Sequence, residues 1–298
     1  MAANSTTEFE DYLNEELRKY KGVAVPVRAS LLERLLVRHL PCTKLHPNPE
    51  DEFTHEDVGP SYRIISEYTA HYRDTQKHGP VEVEEPLLVE KIKPDGYMIL
   101  NGHHRWAAAM RYGLKKVPVR IVNLTQEIDI RKAVENSAHD RRVSMDLDEV
   151  VFRSEDSPYL EKRLMFPILP IYRERIKRGI PALFRFLTRN GYDIWLYSSQ
   201  YYSFDDIVAY FRRYDVHVDG VVTGVGRKDH TDPKVKEELT HLLSSRYKET
   251  ITLNNDMLVR TRPGEKEFEQ YDLDGNDETW SFDVMGIIEK LKAGKKVK

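Results

Sequence analysis

Cysteine is almost absent from this 298-residue chain. Cys42 stands alone, which rules out an intrachain disulfide framework and suits a reducing compartment, so a cytoplasmic location is expected. Long apolar runs are missing too: none approaches the roughly 18 residues of a membrane span. The N-terminus is polar and acidic rather than signal-like. Neither sign of charge dominates. Lys and Arg total 46 against 49 Asp and Glu, a formal net charge of −3, so no global basic field exists for gripping nucleic acid. The chain carries no internal repeat, no low-complexity segment and no Cys/His spacing suited to zinc. Asp272-Leu-Asp274-Gly-Asn276-Asp-Glu278 has the look of a calcium loop, but Asp277 stands where glycine is needed and Asp283 where glutamate is needed. It reads as a turn.

Periodicity divides the chain. Phe9 to Leu17 and Leu31 to Val37 have the three-to-four spacing of amphipathic helices, as does Ser61 to Tyr72. Pro86–Ile92, the turn Lys93-Pro-Asp-Gly96 and Tyr97–Leu100 read as a hairpin, followed by a helix over 103–112 and a strand over Val117–Val122. A charged stretch, Gln126 to Arg142, expected to be helical in part, separates this half from strands that alternate with longer helices, the rhythm of a mostly parallel sheet. The expected strands are Arg142–Leu147, Ile194–Ser198, Val221–Thr223 and Thr250–Leu253. The expected helices are Tyr159–Lys177, Ile180–Asn190, Ser203–Tyr214 and Pro233–Arg246. Lys290 to Lys298 reads as a solvated tail.

In the second half, Asp146-Leu-Asp148 closes an apolar strand. One carboxylate there can attack phosphorus while the other, two residues on, protonates the leaving oxygen. Attack on an anionic phosphate calls for a cation, and Mg²⁺ prefers carboxylate and phosphate oxygens. Val143 to Phe152 resembles the opening motif of the haloacid-dehalogenase-like superfamily, and the resemblance extends over residues 142 to about 290. It implies Asp146 as nucleophile and Mg²⁺ ligand and Asp148 as general acid/base. It also implies a phosphate-binding hydroxyl, Ser198 with Ser199 as the alternative, and a lysine, Lys228 with Lys234 as the alternative. The family's fourth motif should end in acids, whereas this strand ends Asn254-Asn255-Asp256. Asn255 and Asp256 are then the further metal-ligand candidates. The insertion over residues 149 to 178 is short for a mobile cap, which suits a bulky phosphorylated substrate.

In the first half, Asn101-Gly102-His103-His104-Arg105 lies where a strand turns into a helix. Backbone N–H groups at a helix start favour phosphate, glycine lets the backbone approach, and arginine adds a forked donor pair. Together with Pro47-Asn-Pro49, the hairpin and Val117-Pro118-Val119, this order resembles the ParB N-terminal/sulfiredoxin superfamily over residues 40 to 123. The resemblance implies binding of a nucleotide (ATP, ADP or CTP) by Gly102, His103, His104 and Arg105. His103 stands where sulfiredoxin needs cysteine, and no helix-turn-helix follows as in the partition proteins. The branch of kinases acting on free serine fits best, with Glu50 or Glu52 as the base.

The expectation is therefore an α/β protein: an N-terminal helical extension over 1–39, a small α+β ParB/sulfiredoxin-like domain over 40–123 and a linker over 124–141. A parallel-sheet α/β domain of the haloacid-dehalogenase type, with little or no cap, follows over 142–298. The expected function is Mg²⁺-dependent phosphohydrolysis coupled to a nucleotide-binding or kinase domain. A small-molecule kinase with a regulatory second domain and a nucleotide-sensing, DNA-associated adaptor are the alternatives. Partners are a phosphorylated substrate and a nucleotide, with neither membrane nor nucleic acid.

Overall fold

The computed structural model describes residues 6–55, 57–78, 85–163, 175–224, 233–265 and 267–293. Its contacts divide the chain into two units, Met1–Asn123 and Leu124–Lys298. The mixed α/β class expected from the sequence is what both units display.

The first unit begins with α1 (Thr6–Tyr20), β1 (Val25–Pro26), α2 (Leu31–Leu35), β2 (Arg38–Pro41) and β3 (Leu45–His46). It continues through α3 (Tyr62–His78), the hairpin β4 (Leu87–Lys93) and β5 (Tyr97–Asn101), α4 (His103–Tyr112) and β6 (Lys116–Val122). The sheet runs β2-β6-β4-β5-β3, with β1 beside β4. Parallel β4–β6 and β3–β5 pairs are mixed with antiparallel β4–β5 and β2–β6 pairs. Trp106, Ala107, Ala108 and Ala109 of α4 are all fully buried. Three small side chains in a row let the helix backbone approach both the sheet and α3, while Trp106 fills the core and donates its indole N–H to the Cys42 carbonyl (3.1 Å).

The second unit comprises α5 (Glu127–Glu135), β7 (Arg141–Asp146), a one-turn π-helix (Leu147–Val151), β8 (Phe152–Arg153) and β9 (Arg175–Ile176). Then come α6 (Ile180–Arg189), β10 (Asp193–Ser198), α7 (Phe204–Arg212), β11 (Gly220–Thr223) and α8 (Pro233–Arg246). The chain continues with β12 (Glu249–Leu253), β13 (Met257–Thr261), β14 (Glu269–Asp272) and α9 (Trp280–Lys292). The sheet order is β11-β10-β7-β12-β13-β14. The first four strands are parallel and the last two antiparallel. Helices α6 and α9 pack together, as do α5 and α8. The charged stretch expected to be helical in part contains α5, whose Val134 is buried.

The described ends of the expected helix Tyr159–Lys177 are not helical: Arg175 and Ile176 pair antiparallel with Arg153 and Phe152, and Leu160 bridges to Lys177. Residues 164–174 lie outside the described ones.

Candidate functional sites

In the first unit, β5 delivers the chain to α4 through Gly102, whose φ of 100° lies in the left-handed region that L side chains avoid. A Cβ there would also run into Leu87, so both backbone and packing demand glycine. No side chain caps the helix start. Its first-turn N–H groups and dipole therefore face an approaching anion without a competing cap.

The loop Pro47–Thr54 folds over this helix start. Asn48 N donates to His103 Nε2 (3.1 Å) and Ser61 N donates to His104 Nε2 (3.1 Å). Both imidazoles act as acceptors through Nε2, which places their ring protons on Nδ1. His103 Nδ1 faces Asp51 Oδ1 at 3.6 Å, too long for a direct hydrogen bond. Burial holds the His104 pKa below its usual value, with Asp51 opposing the shift. Phe53 secures the arrangement: its ring stacks on His103 (centroids 5.4 Å apart) and meets His104 edge-on (5.0 Å). Asp51 Oδ1 accepts from Phe53 N (3.0 Å), and the Thr54 hydroxyl donates to the carbonyls of Asn48 (2.8 Å) and Asp51 (2.7 Å).

The Arg105 side chain is only 10% exposed, yet its guanidinium pairs with Glu85, which is 77% exposed. A second contact reaches Asn101 Oδ1 at 3.4 Å. A nearly buried cation whose carboxylate partner lies in solvent can exchange that partner for a phosphate oxygen with little rearrangement. Glu50 and Glu52 are both exposed. Asp51, which the sequence reading passed over between them, is the acid that reaches the histidines. Its signal was position: Asp51 followed by Phe53 forms the Asx-type cap of a short 3-10 turn, Glu52–Thr54.

In the second unit, Asp146 ends β7 and Ser198 ends the adjacent parallel strand β10, whose register pairs Tyr197 with Asp146. The chain runs from β7 to β10 and β11 on one side, then crosses to β12 on the other. The carboxyl ends of β7 and β12 therefore flank the topological switch point, where open α/β sheets leave a crevice. Asp146 Oδ1 accepts from Asp148 N (2.7 Å) and Glu149 N (2.8 Å), which closes the π-helical turn. This turn brings Asp148 round to Ser198: the Ser198 hydroxyl donates to Asp148 Oδ2 at 2.7 Å and accepts from Gln200 N at 2.9 Å. Ser198 is buried and Ser199 exposed, which separates the two candidates. A cleft of about 770 Å³ opens beside them, lined by Asp148, Phe152, Arg153, Ser154, Glu155, Gln200 and Tyr202.

The metal candidates fare differently. The Asn255 amide is spent on protein partners: its oxygen accepts from Arg153 Nη2 (2.7 Å) and its nitrogen donates to the Glu149 carbonyl (2.8 Å). The Asn255 oxygen expected to ligate Mg²⁺ is thus engaged by Arg153. Asp256 is exposed, with its backbone carbonyl accepting from Leu273 N (2.7 Å). Among the described residues, no group of three His, Cys, Asp or Glu side chains gathers to hold a metal. Asp146 and Asp148 lie together, but the donor set proposed for Mg²⁺ does not fit as a whole. Lys228 lies outside the described residues, and Lys234 lies in α8 with its side chain outside them.

Behind Arg153 stands a cluster the sequence did not announce. Asp277 accepts from Arg153 Nε (3.1 Å) and Nη2 (3.0 Å), and Lys177 Nζ lies 2.6 Å from Asp277 Oδ1. Lys177 is 0% exposed, stands over the Trp280 ring, and has its pKa lowered by burial. The Arg153 guanidinium, with Lys177 beside it, holds the Asp277 carboxyl below its ordinary range.

Among the described residues no helix is long and apolar enough to cross a membrane. Residues 32–138 match the family model of the ParB N-terminal domain. Over 46 residues the chain is 44% identical to an ATP-dependent L-serine kinase of Staphylothermus marinus, a stretch that covers 15% of this chain and 18% of that protein.

Proposed function

We propose that this protein is a nucleotide-dependent phosphotransferase whose working site is the start of α4 in the first unit, and that it transfers the γ-phosphoryl of ATP to the hydroxyl of a small molecule such as free serine. The observation that carries this reading is Arg105, nearly buried in the first turn of an uncapped helix and paired with a solvent-exposed carboxylate. Phosphoryl transfer asks the protein mainly for positioning and charge, which helix N–H groups and a guanidinium provide. The acceptor hydroxyl needs a base within reach. Glu50, Asp51 and Glu52 supply carboxylates on the loop that covers the histidines, and the similarity to an L-serine kinase supports this acceptor class. The test is serine-dependent ADP formation by the full chain, compared with Arg105→Ala and with Asp51→Asn, Glu50→Gln and Glu52→Gln. Loss of ATP affinity in Arg105→Ala, together with loss of turnover in one carboxylate variant, supports the reading. Serine-dependent turnover that survives Arg105→Ala contradicts it.

A second reading applies to the other unit: a phosphoester-directed site of the haloacid-dehalogenase type at Asp146, Asp148 and Ser198. It is favoured by the Ser198–Asp148 hydrogen bond at the switch point of a β11-β10-β7-β12 sheet. In this reading Asp148, which accepts the Ser198 hydroxyl, would handle the leaving-group proton, and Asp146 accepts two N–H groups at the strand end. Phosphate release from a phosphoester panel should vanish in Asp146→Asn; unchanged release removes this reading.

A further inference from the structure

The second-unit site contains a cation of its own. Arg153 lies in β8, immediately after the turn that carries Asp148, and lines the same cleft. A guanidinium has five N–H groups. Here Nε–H goes to Asp277 Oδ2 at 3.1 Å, and the two hydrogens of Nη2 go to Asp277 Oδ1 at 3.0 Å and Asn255 Oδ1 at 2.7 Å. The Nη1 hydrogens go to the carbonyls of Glu149 at 2.5 Å and Phe152 at 2.9 Å. Every donor is matched, so Arg153 is fixed on all sides. The clamp ties the π-helical turn to the end of β12 and to the loop before α9. Asn255 strengthens it by donating to the same Glu149 carbonyl at 2.8 Å.

Charge points the same way. Arg153 and Lys177 both pair with the Asp277 carboxylate, so the position beside Asn255 already holds a guanidinium. A divalent ion seated on Asn255 Oδ1 would stand beside a guanidinium already bonded to that oxygen, and like charges at such range repel strongly in a partly buried setting.

We propose that the Asp146–Asp148 site is built to work without a divalent cation on Asn255: Arg153, which lines the same cleft as Asp148, takes the Asn255 oxygen that a metal would need. Arg153 is thus a positioning residue, held in place by Asp277. The inference rests on reading Asp146, Asp148 and Ser198 as one site. It asserts in addition that the site operates without a bound metal.

The test is a Mn²⁺ titration of the full chain without nucleotide, followed by electron paramagnetic resonance, for wild type, Arg153→Met, Asp146→Asn and the double variant. Wild type should have no saturable Mn²⁺ site that Asp146→Asn abolishes. Arg153→Met frees Asn255 and should gain such a site, with affinity at least about tenfold above wild type; Asp146→Asn in the same chain should remove it. A wild-type site that depends on Asp146 or on Asn255 overturns the inference, and this arm needs no destabilised variant. So does a folded Arg153→Met protein, judged by its melting curve, that binds Mn²⁺ no better than wild type. Phosphoester turnover separates the two claims. Turnover lost in Asp146→Asn and insensitive to EDTA supports both, whereas turnover abolished by EDTA overturns the metal-free claim and leaves the site reading standing.

Discussion

Neutralising Glu85 should tighten nucleotide binding in the first unit, although the change removes an ion pair. The Arg105 guanidinium and the Glu85 carboxylate pair in the free protein, with side chains 10% and 77% exposed. A phosphate that engages Arg105 has to displace Glu85. A pair with one partner in solvent contributes about 0–1 kcal/mol, because water screens it and ordering a long side chain costs entropy. Removing the competitor therefore raises ATP affinity by at most about fivefold, since about 1.4 kcal/mol is a factor of ten. Glu85→Gln preserves shape and removes only the charge. Arg105→Ala acts in the opposite direction: a charge-assisted hydrogen bond of about 1.5–3 kcal/mol is lost, so affinity falls roughly 10- to 150-fold. Calorimetric titration of ATP at low and high salt reads both variants. The gain from Glu85→Gln should shrink at high salt, where exposed charges are screened. Weaker ATP binding by Glu85→Gln at low salt would refute the reasoning, because it would make Glu85 part of the binding surface rather than a stand-in for the ligand.

Phe53 packs on both His103 and His104 and is 2% exposed, so Phe53→Ala should cost the first unit about 3–5 kcal/mol and loosen the covering loop. A melting transition unchanged in this variant contradicts the packing argument. The His104 pKa is lowered from 6.5 by burial, so the unfolded chain binds that proton more tightly. Its contribution to stability is complete above pH 6.5 and is lost as pH falls through the folded value. The melting temperature should drop on acidification, and His104→Asn should flatten the slope. Equal slopes in the two proteins would count against this assignment. Burial pushes the Cys42 thiol up to about 11, which leaves on the order of one thiolate in a thousand at pH 8. A disulfide reagent should react slowly with the folded chain and rapidly after denaturation; similar rates in both states would place Cys42 at the surface.

The parts of the fold that were legible are those written in one local signal. Asp193–Ser198 is a continuous apolar strand between Gly191 and a pair of hydroxyls, and it forms within a residue of its expected limits. The same holds for β7 and for α4, whose ends are marked by Gly102 and Gly113, both in the left-handed region. Ser198 could be preferred to Ser199 because the apolar run ends at it, and it is the last residue of β10. The antiparallel strands β13 and β14 were not anticipated, because Met257–Thr261 and Glu269–Asp272 are half-polar and become strands only by pairing, β13 onto β12 and β14 onto β13. The Arg153–Asp277–Lys177 cluster was illegible for a related reason. Its members are far apart in sequence, and Asp277 sits in a stretch that reads as a plain acidic turn. Asn255 illustrates the limit most sharply: its place at the end of β12 could be read, but the guanidinium that takes its oxygen could not.

The most direct measurement is mass-spectrometric detection of phosphoryl transfer from isotopically labelled ATP to free serine by the full chain, with other small hydroxyl compounds in parallel. The account predicts labelled phosphoserine, or another labelled phosphoester from the panel, with formation sharply reduced in Arg105→Ala. ATP that binds at Arg105 yet labels none of these acceptors would contradict the assignment of the first unit as a phosphotransferase.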